Sequence, residues 1–535
     1  MIFFSLAGKL ILISNIINRS NNFQKNMEVE FVKFKKLSIT FLTLILVMTL
    51  SFTILAEEVD IRIYHVNDVH SRVEDDDYAG SIGYAKMATL IKKARREMGN
   101  VMFLDAGDSF HGQTIANIND GEAISNILDL MNVDALTLGN HDFNYGQARL
   151  EELANMSNFP FLAANLVRED GEEIPYKKDY IIKEYDGVKV GVFGLVTPET
   201  AYKTHPKNVE GLVFENPITT ANAVVNELRG KVDVIVGLTH LGISEGSKYT
   251  SKMVAEEVPG IDLIVDGHSH NVLKEGMMVN DTMIVMAGEY SKFLGYVDLT
   301  VDNGELTDIK ANLITREETA DVEKDFIIST VVDRINRANA AITSQTVGVT
   351  RVELNGERGN VRTGETNLGN LITDAMRAKL DTDVAITNGG GIRASIDRGE
   401  ITQGEVITVL PFGNTAMAIE ISGAKLRAAL EHAVSEYPAT EGLFPQVSGI
   451  KFTFNGDAEP GNRVQQVWVE GEELEQDKMY TVATNDFMKA GGDGYTMFTD
   501  APIVKEAGGL EEIVMEYIEA NSPVAPVTEG RIVAE

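Results

Sequence analysis

Four stretches decide the fold: VMFLDAGDSF at 101–110, DALTLGNHDF at 134–143, VDVIVGLTHLG at 232–242 and IDLIVDGHSH at 261–270. Each is a short apolar run that breaks into a turn carrying Asp, Asn or His. Runs of this length bounded by Gly-bearing turns are predicted to be buried strands. A fifth run, with Ile61 and Ile63 alternating, leads into Asp68-Val69-His70. Between the fifth run and the first stretch, Met87, Leu90, Ile91, Ala94 and Met98 recur at helical spacing and predict a helix over 83–98. Strands alternating with helices imply a layered α/β (α+β) fold. Open α/β sheets gather their ligands at one edge, outside the strand ends, which is where the polar turns fall.

The chain has 535 residues, 44% of them hydrophobic and 24% charged, enough for two to four domains of ordinary globular composition. There is no cysteine, so disulfides, thiolate metal sites, a Cys nucleophile and a lipidated N-terminal Cys are all excluded. Any metal has to sit on His, Asp, Glu or Asn. A formal charge of −33 leaves no broad basic surface for a nucleic-acid backbone. A small anionic substrate is still compatible with it, because a local group of cations outweighs a distant acidic field.

Residues 37–56, LSITFLTLILVMTLSFTILA, are apolar and uncharged, follow Lys33, Lys35 and Lys36, and end in Ala before Glu57. That order predicts a secretory signal peptide over 1–56, cleaved near Ala56, with Met27 a candidate true start. The competing interpretation is an uncleaved anchor, since about 20 apolar residues can span a bilayer. The expected location is extracytoplasmic, with no stable membrane partner beyond this signal. Removing residues 1–56, which hold six Lys/Arg and two Glu, would take the charge to −37. Farther on, 317–345 is charged, free of Gly and Pro and helical in period, which predicts a helix joining a first domain at 57–316 to a second at 346–535.

The polar residues at the strand ends are Asp68, His70, Asp108, Asn140, His141, His240, His268 and His270, and five of the chain's nine histidines lie in these turns. Taken alone, a D-x-H after a strand is an ordinary surface turn. In this order, however, D-x-H, G-D-x-x, G-N-H-D, T-H-L-G and G-H-S-H supply carboxylate, imidazole and amide oxygen donors, which suit Zn, Mn, Co or Fe.

The ordered motifs resemble the calcineurin-like metallophosphoesterases, and within them the secreted 5′-nucleotidase / UDP-sugar hydrolase family, over residues 58–530. The resemblance implies an N-terminal four-layer β-sandwich flanked by helices, a linker helix and a C-terminal α/β nucleotide-binding domain. It implies two divalent ions (Zn, Mn, Co or Mg), one held by Asp68, His70, Asp108 and His270. The other would be held by Asp108, Asn140, His240 and His268, with Asp108 shared. Gln or Asn stands in many relatives where this chain has His270. His141 is implied to stabilise the transition state or to protonate the leaving oxygen. The family often places Asp three residues after that His. Here it is Asn144, which also occurs in cyclic-phosphodiesterase-like relatives.

In the second region the resemblance assigns Arg358, Arg362 and Arg393 to the substrate's phosphates, Arg being suited to forked, charge-assisted bonds to phosphate oxygens. Asn388 precedes the glycines at 389–391. Phe412, beside Asn414, and Phe487 are the implied base sandwich, and Asp493 the acceptor for ribose hydroxyls. The expected function is hydrolysis of nucleoside 5′-phosphates to nucleoside and phosphate. The alternatives are a 2′,3′-cyclic-nucleotide phosphodiesterase, a UDP-sugar hydrolase, or a non-catalytic nucleotide-binding surface protein.

Overall fold

All five apolar runs form strands. β1 (Val59–Val66), β2 (Val101–Asp105) and β3 (Ala135–Thr137) are parallel neighbours within a seven-stranded sheet. β4 (Val188–Val196), β5 (Val234–His240) and β6 (Leu263–Val265) are parallel neighbours in a six-stranded one. The computed structural model describes residues 58–76, 80–245 and 247–535, together with residues 19, 25, 27 and 29–36, which are helical. The apolar run 37–56 and its expected cleavage point at Ala56 lie outside the described residues. Among the described residues no helix is long and apolar enough to cross a membrane. Residues 59–535 make one compact unit.

Strand periodicity sorts the side chains into layers. Ile61 and Ile63 on β1, Met102 and Leu104 on β2, Val190 and Val192 on β4, and Val236 and Leu238 on β5 share the core between the two sheets. Phe103 points to the opposite face, where it joins Met87, Ile91 and Ala94 of α1 (Tyr84–Met98). The outer face of the second sheet is covered by helix Pro217–Leu228 through Ala221, Val224, Val225 and Leu228. The result is helix, sheet, sheet, helix. Burying each large aliphatic side chain contributes roughly 1.5–3 kcal/mol.

The helix expected over 317–345 is shorter than its charge pattern predicts. One 3-10 turn spans Glu317–Thr319, and α2 runs from Phe326 to Thr343. Its start is fixed by Asp325, whose side chain accepts from the backbone N–H groups of Ile327 and Ile328 and also pairs with Lys92 at 2.7 Å. Ile328 and Val332 bury against the α1 layer. The C-terminal lobe centres on a five-stranded sheet holding β7 (Val384–Asn388), β8 (Thr415–Ser422) and β9 (Met479–Asn485). β7 and β9 are parallel and β8 is antiparallel to β9, so the ends of β7 and β9 and the start of β8 meet at one edge. α3 (Asn367–Leu380), N-capped by Thr366, buries Leu371, Ile372, Ala375 and Met376 in a core shared with Ala385, Ala418 and Ala483 of those strands.

The loops after β2 and β3 are locked by one buried carboxylate. Asp142 accepts from the backbone N–H groups of Gly139 (2.8 Å), Asp108 (2.9 Å), Ser109 (3.0 Å) and Phe110 (3.1 Å). The loops lie so close that a Cβ on Gly139 would fall 2.2 Å from Asp108 Oδ1, and one on Gly107 (φ 88°) 2.5 Å from the Gly139 nitrogen. Asp142→Asn can replace one of the two accepting oxygens and turns an NH2 group toward the remaining donors. It should lower the unfolding free energy by about 2–4 kcal/mol, read from urea denaturation. An unchanged midpoint would show that the clamp contributes nothing to stability.

Candidate metal centre and adjoining pocket

The turns after β1, β2, β3, β5 and β6 converge. Asp68, His70 and His270 form one group whose ligand atoms lie within 4.8 Å of one another, and Asp68, Asp108 and His240 form a second. His270 Nε2 is 3.2 Å from Asp68 Oδ1, and His240 Nε2 is 3.2 Å from Asp108 Oδ2 and 3.8 Å from Asp68 Oδ1. His70 Nε2 is 3.9 Å from Asp108 Oδ2. Both carboxylates therefore face histidines of both expected ligand sets, and Asp68 is as central as Asp108. Asn140 and His268 stand together beside these groups, with His268 Nδ1 2.9 Å from Asn140 Oδ1.

The donor chemistry suits divalent cations. His240 Nδ1 lies 2.6 Å from the Ala106 carbonyl, so that nitrogen carries the proton, while Nε2 is buried with no hydrogen-bond partner among the described residues. Burial pushes this imidazole's pKa down, but Asp108 and Asp68 outweigh it and raise it to about 10. The site favours positive charge at that point. His270 Nδ1 donates to the Glu289 carboxylate, leaving Nε2 to face Asp68. A carboxylate behind a ligating histidine fixes its tautomer and ring orientation. The backbone is also held in an unfavourable form here. Asp68, His70, Asp108, His268 and His270 all have left-handed φ between 48° and 76°, a conformation that costs L-residues of order 1–3 kcal/mol each.

In front of this cluster lies one pocket. Asp108, Asn140, His141, Asn144, His268 and His270 line it from the first lobe. Arg358, Arg362, Asn388, Arg393, Phe412, Asn414, Phe487 and Asp493 line it from the second. Asp68, His70 and His240 are buried behind it. Arg393 Nη2 is 3.5 Å from His70 Nε2, and Arg358 Nη1 is 3.0 Å from His270 Nδ1. Because His270 Nδ1 gives its proton to Glu289, the latter approach is proximity rather than a hydrogen bond. Arg362 is buried with its Nε unpartnered among the described residues, and burial, followed by Arg358 and Arg393, pushes its pKa down to about 9. Three crowded guanidiniums with a spare donor make a site for an anion.

His141 is oriented from behind. Thr204 Oγ1 donates to Asn144 Oδ1 (2.9 Å), which leaves Asn144 Nδ2 to donate to His141 Nδ1 (3.1 Å). His141 Nε2 then carries the proton. Burial, with Arg393, His111 and His240 adding to it against Asp108, holds this imidazole's pKa well below the usual value. His141 is thus a neutral donor in the pocket wall. Asn388 Nδ2 donates to Asp493 Oδ2 at 2.7 Å and holds that carboxylate in place. Phe412 and Phe487 line the same pocket, and among the described residues no ring contact joins them.

Several neighbours of these residues carry no local sequence signal. His111 stacks on Phe412 (centroids 5.0 Å apart, planes 18° apart), and its Nε2 is 3.1 Å from the Pro411 carbonyl, tying the lobes together. Glu199, Glu289, Lys203 and Glu441 come from distant turns. Only Asp142 lies inside a motif, in GNHDF, where its spacing from Asp108 could have marked it.

The chain matches the family model described as "Calcineurin-like phosphoesterase" over residues 61–272 and "5'-nucleotidase, C-terminal domain" over 346–500. It is 35% identical to the trifunctional nucleotide phosphoesterase protein YfkN of Bacillus subtilis across 88% of this chain, which spans only 35% of that longer protein. It is 32% identical to the 5'-nucleotidase of Diplobatis ommata, covering 88% of this chain and 89% of that one. Among solved structures, a 5'-nucleotidase precursor from Thermus thermophilus superposes with a TM-score of 0.81 at 32% identity, covering 89% of this chain and 99% of that one.

Asp108→Ala removes a carboxylate that faces His70 and His240 together. After dialysis against Mn or Co, the variant should retain fewer than the two equivalents expected of the parent, measured by inductively coupled plasma mass spectrometry. Turnover of any phosphate ester should fall to background, and full metal content with full activity would remove Asp108 from the ligand set.

Proposed function

The chain belongs to the 5′-nucleotidase family of calcineurin-like phosphoesterases, hydrolases of phosphoric esters, and from that we propose that it is an exported dinuclear phosphohydrolase that releases phosphate from nucleoside 5′-phosphates. The observation that carries this is the continuity of one pocket from the carboxylate–histidine cluster through the three arginines to Phe412, Phe487 and Asp493. Two divalent ions would be held by Asp68, His70, Asp108 and His270 and by Asp108, Asn140, His240 and His268. Bound there, they supply Lewis acidity toward water and the phosphoryl oxygens.

The chain's own groups perform the rest. Arg358 and Arg393 approach the cluster histidines closely enough to grip phosphoryl oxygens placed there, and Arg362 stands behind them as a third cation. His141, held with Nε2–H forward by Asn144, donates toward the oxygen that leaves with the nucleoside. Phe412 and Phe487 offer faces on which any base can stack, and Asp493 offers a carboxylate to ribose hydroxyls. We take the two domains to divide at α2, and the apolar stretch 37–56 behind three lysines to be an export leader. One observation favours a second activity, on 2′,3′-cyclic nucleotides: Asn144 stands where the resemblance leads one to expect Asp, in a chain similar to a protein named as trifunctional.

The test is phosphate release from AMP, UDP-glucose and 2′,3′-cyclic AMP with Mn, Co, Zn or Mg, and again with chelator. AMP should be the best substrate, with release abolished by chelator and restored by metal. Release from AMP that is indifferent to chelator would overturn the reading. His141→Ala should lower kcat on AMP by roughly 10²–10⁴ and on p-nitrophenyl phosphate by far less, because p-nitrophenolate leaves without a proton. Phe487→Leu should raise KM for AMP roughly 5–50-fold and leave β-glycerophosphate, which has no ring to stack, within about twofold.

A further inference from the structure

Glu199 is a buried carboxylate, 8% exposed, that stands at the head of the single turn Thr200–Lys203. Its Oε2 lies 3.0 Å from His268 Nε2. A carboxylate of ordinary charge only accepts, so the proton of this contact resides on His268 Nε2. The ring's other nitrogen, Nδ1, faces Asn140 Oδ1 at 2.9 Å. An imidazole nitrogen and an amide oxygen brought this close are two donors that one divalent cation can share. Glu199 is itself pinned. The same oxygen is 3.7 Å from Lys203 Nζ, and Lys203 reaches Glu441 of the C-terminal lobe at 3.1 Å.

We infer that Glu199 is a positioning residue that fixes His268 as an Nδ1 ligand, so that the Asn140–His268 pair holds the second cation. The inference rests on the dinuclear reading above and adds a residue to it. His268 differs in this from His240 and His270, whose Nδ1 atoms carry the proton and whose Nε2 atoms face the cluster. With Nε2 committed to Glu199, His268 turns its other nitrogen inward, so loss of the carboxylate frees the ring to take the opposite tautomer. Glu199 does not line the pocket and reaches the cluster through His268.

The full chain is stripped with chelator and titrated with Co²⁺, followed by visible absorption and isothermal calorimetry, with thermal melts as a folding control. The parent should take up two equivalents. In Glu199→Gln one equivalent should weaken about 10–100-fold, with its absorption band altered, while the other stays within about twofold. Glu199→Asp, which keeps the carboxylate on a shorter stem, should weaken that same equivalent by less. Parent-like binding of both equivalents in Glu199→Gln, equal weakening of both, or identical behaviour of the Gln and Asp variants would overturn the assignment. A parent that takes up no second equivalent would overturn the dinuclear reading itself.

Discussion

The site depends first on the Asp142 carboxylate. Its two oxygens accept four backbone N–H groups from the loops after β2 and β3. Left unpaired in a buried place, each donor would cost about 1–3 kcal/mol. Once the loops are pinned, the His141 backbone N–H can donate to Asp108 Oδ1 at 2.7 Å, so the carboxylate in the cluster is aimed by the same turn that carries Asn140 and His141. The two sheets fix where the strands end. The clamp then decides where the side chains on those ends point.

A chain of net charge −33 would take up an anion against its own field if charge acted at long range. At physiological ionic strength the field of exposed charges fades within about 8 Å, whereas half-buried cations at the pocket wall are screened far less. Arg358, Arg362 and Arg393 therefore set the local potential, and burial first, then the neighbouring guanidiniums, lowers the pKa of Arg362. Lys203 adds little to it, because Glu199 and Glu441 lie on either side of its ammonium group.

The layered fold and the residues gathered at the cluster were legible because both follow from local order in the chain. Apolar runs ended in polar turns, and parallel strands bring such turns to one edge. The start of α2 was hidden because 317–325 shares the helix's composition while the cap at Asp325 decides the boundary. Glu199, Glu289 and His111 were hidden for a different reason. Each works through a residue far away in sequence, and a lone Glu or His in a turn carries no mark of its partner. The face of His268 was hidden too, since spacing places a ring near the cluster but does not say which nitrogen turns inward.

Five residues of the cluster sit in left-handed backbone, where glycine would rest without penalty. Backbone conformation taken by itself would favour glycine at Asp68, His70, Asp108, His268 and His270. Replacing any of them by Gly relieves local strain and erases a candidate ligand in the same step. The chemistry of this molecule is kept where its polypeptide is least comfortable.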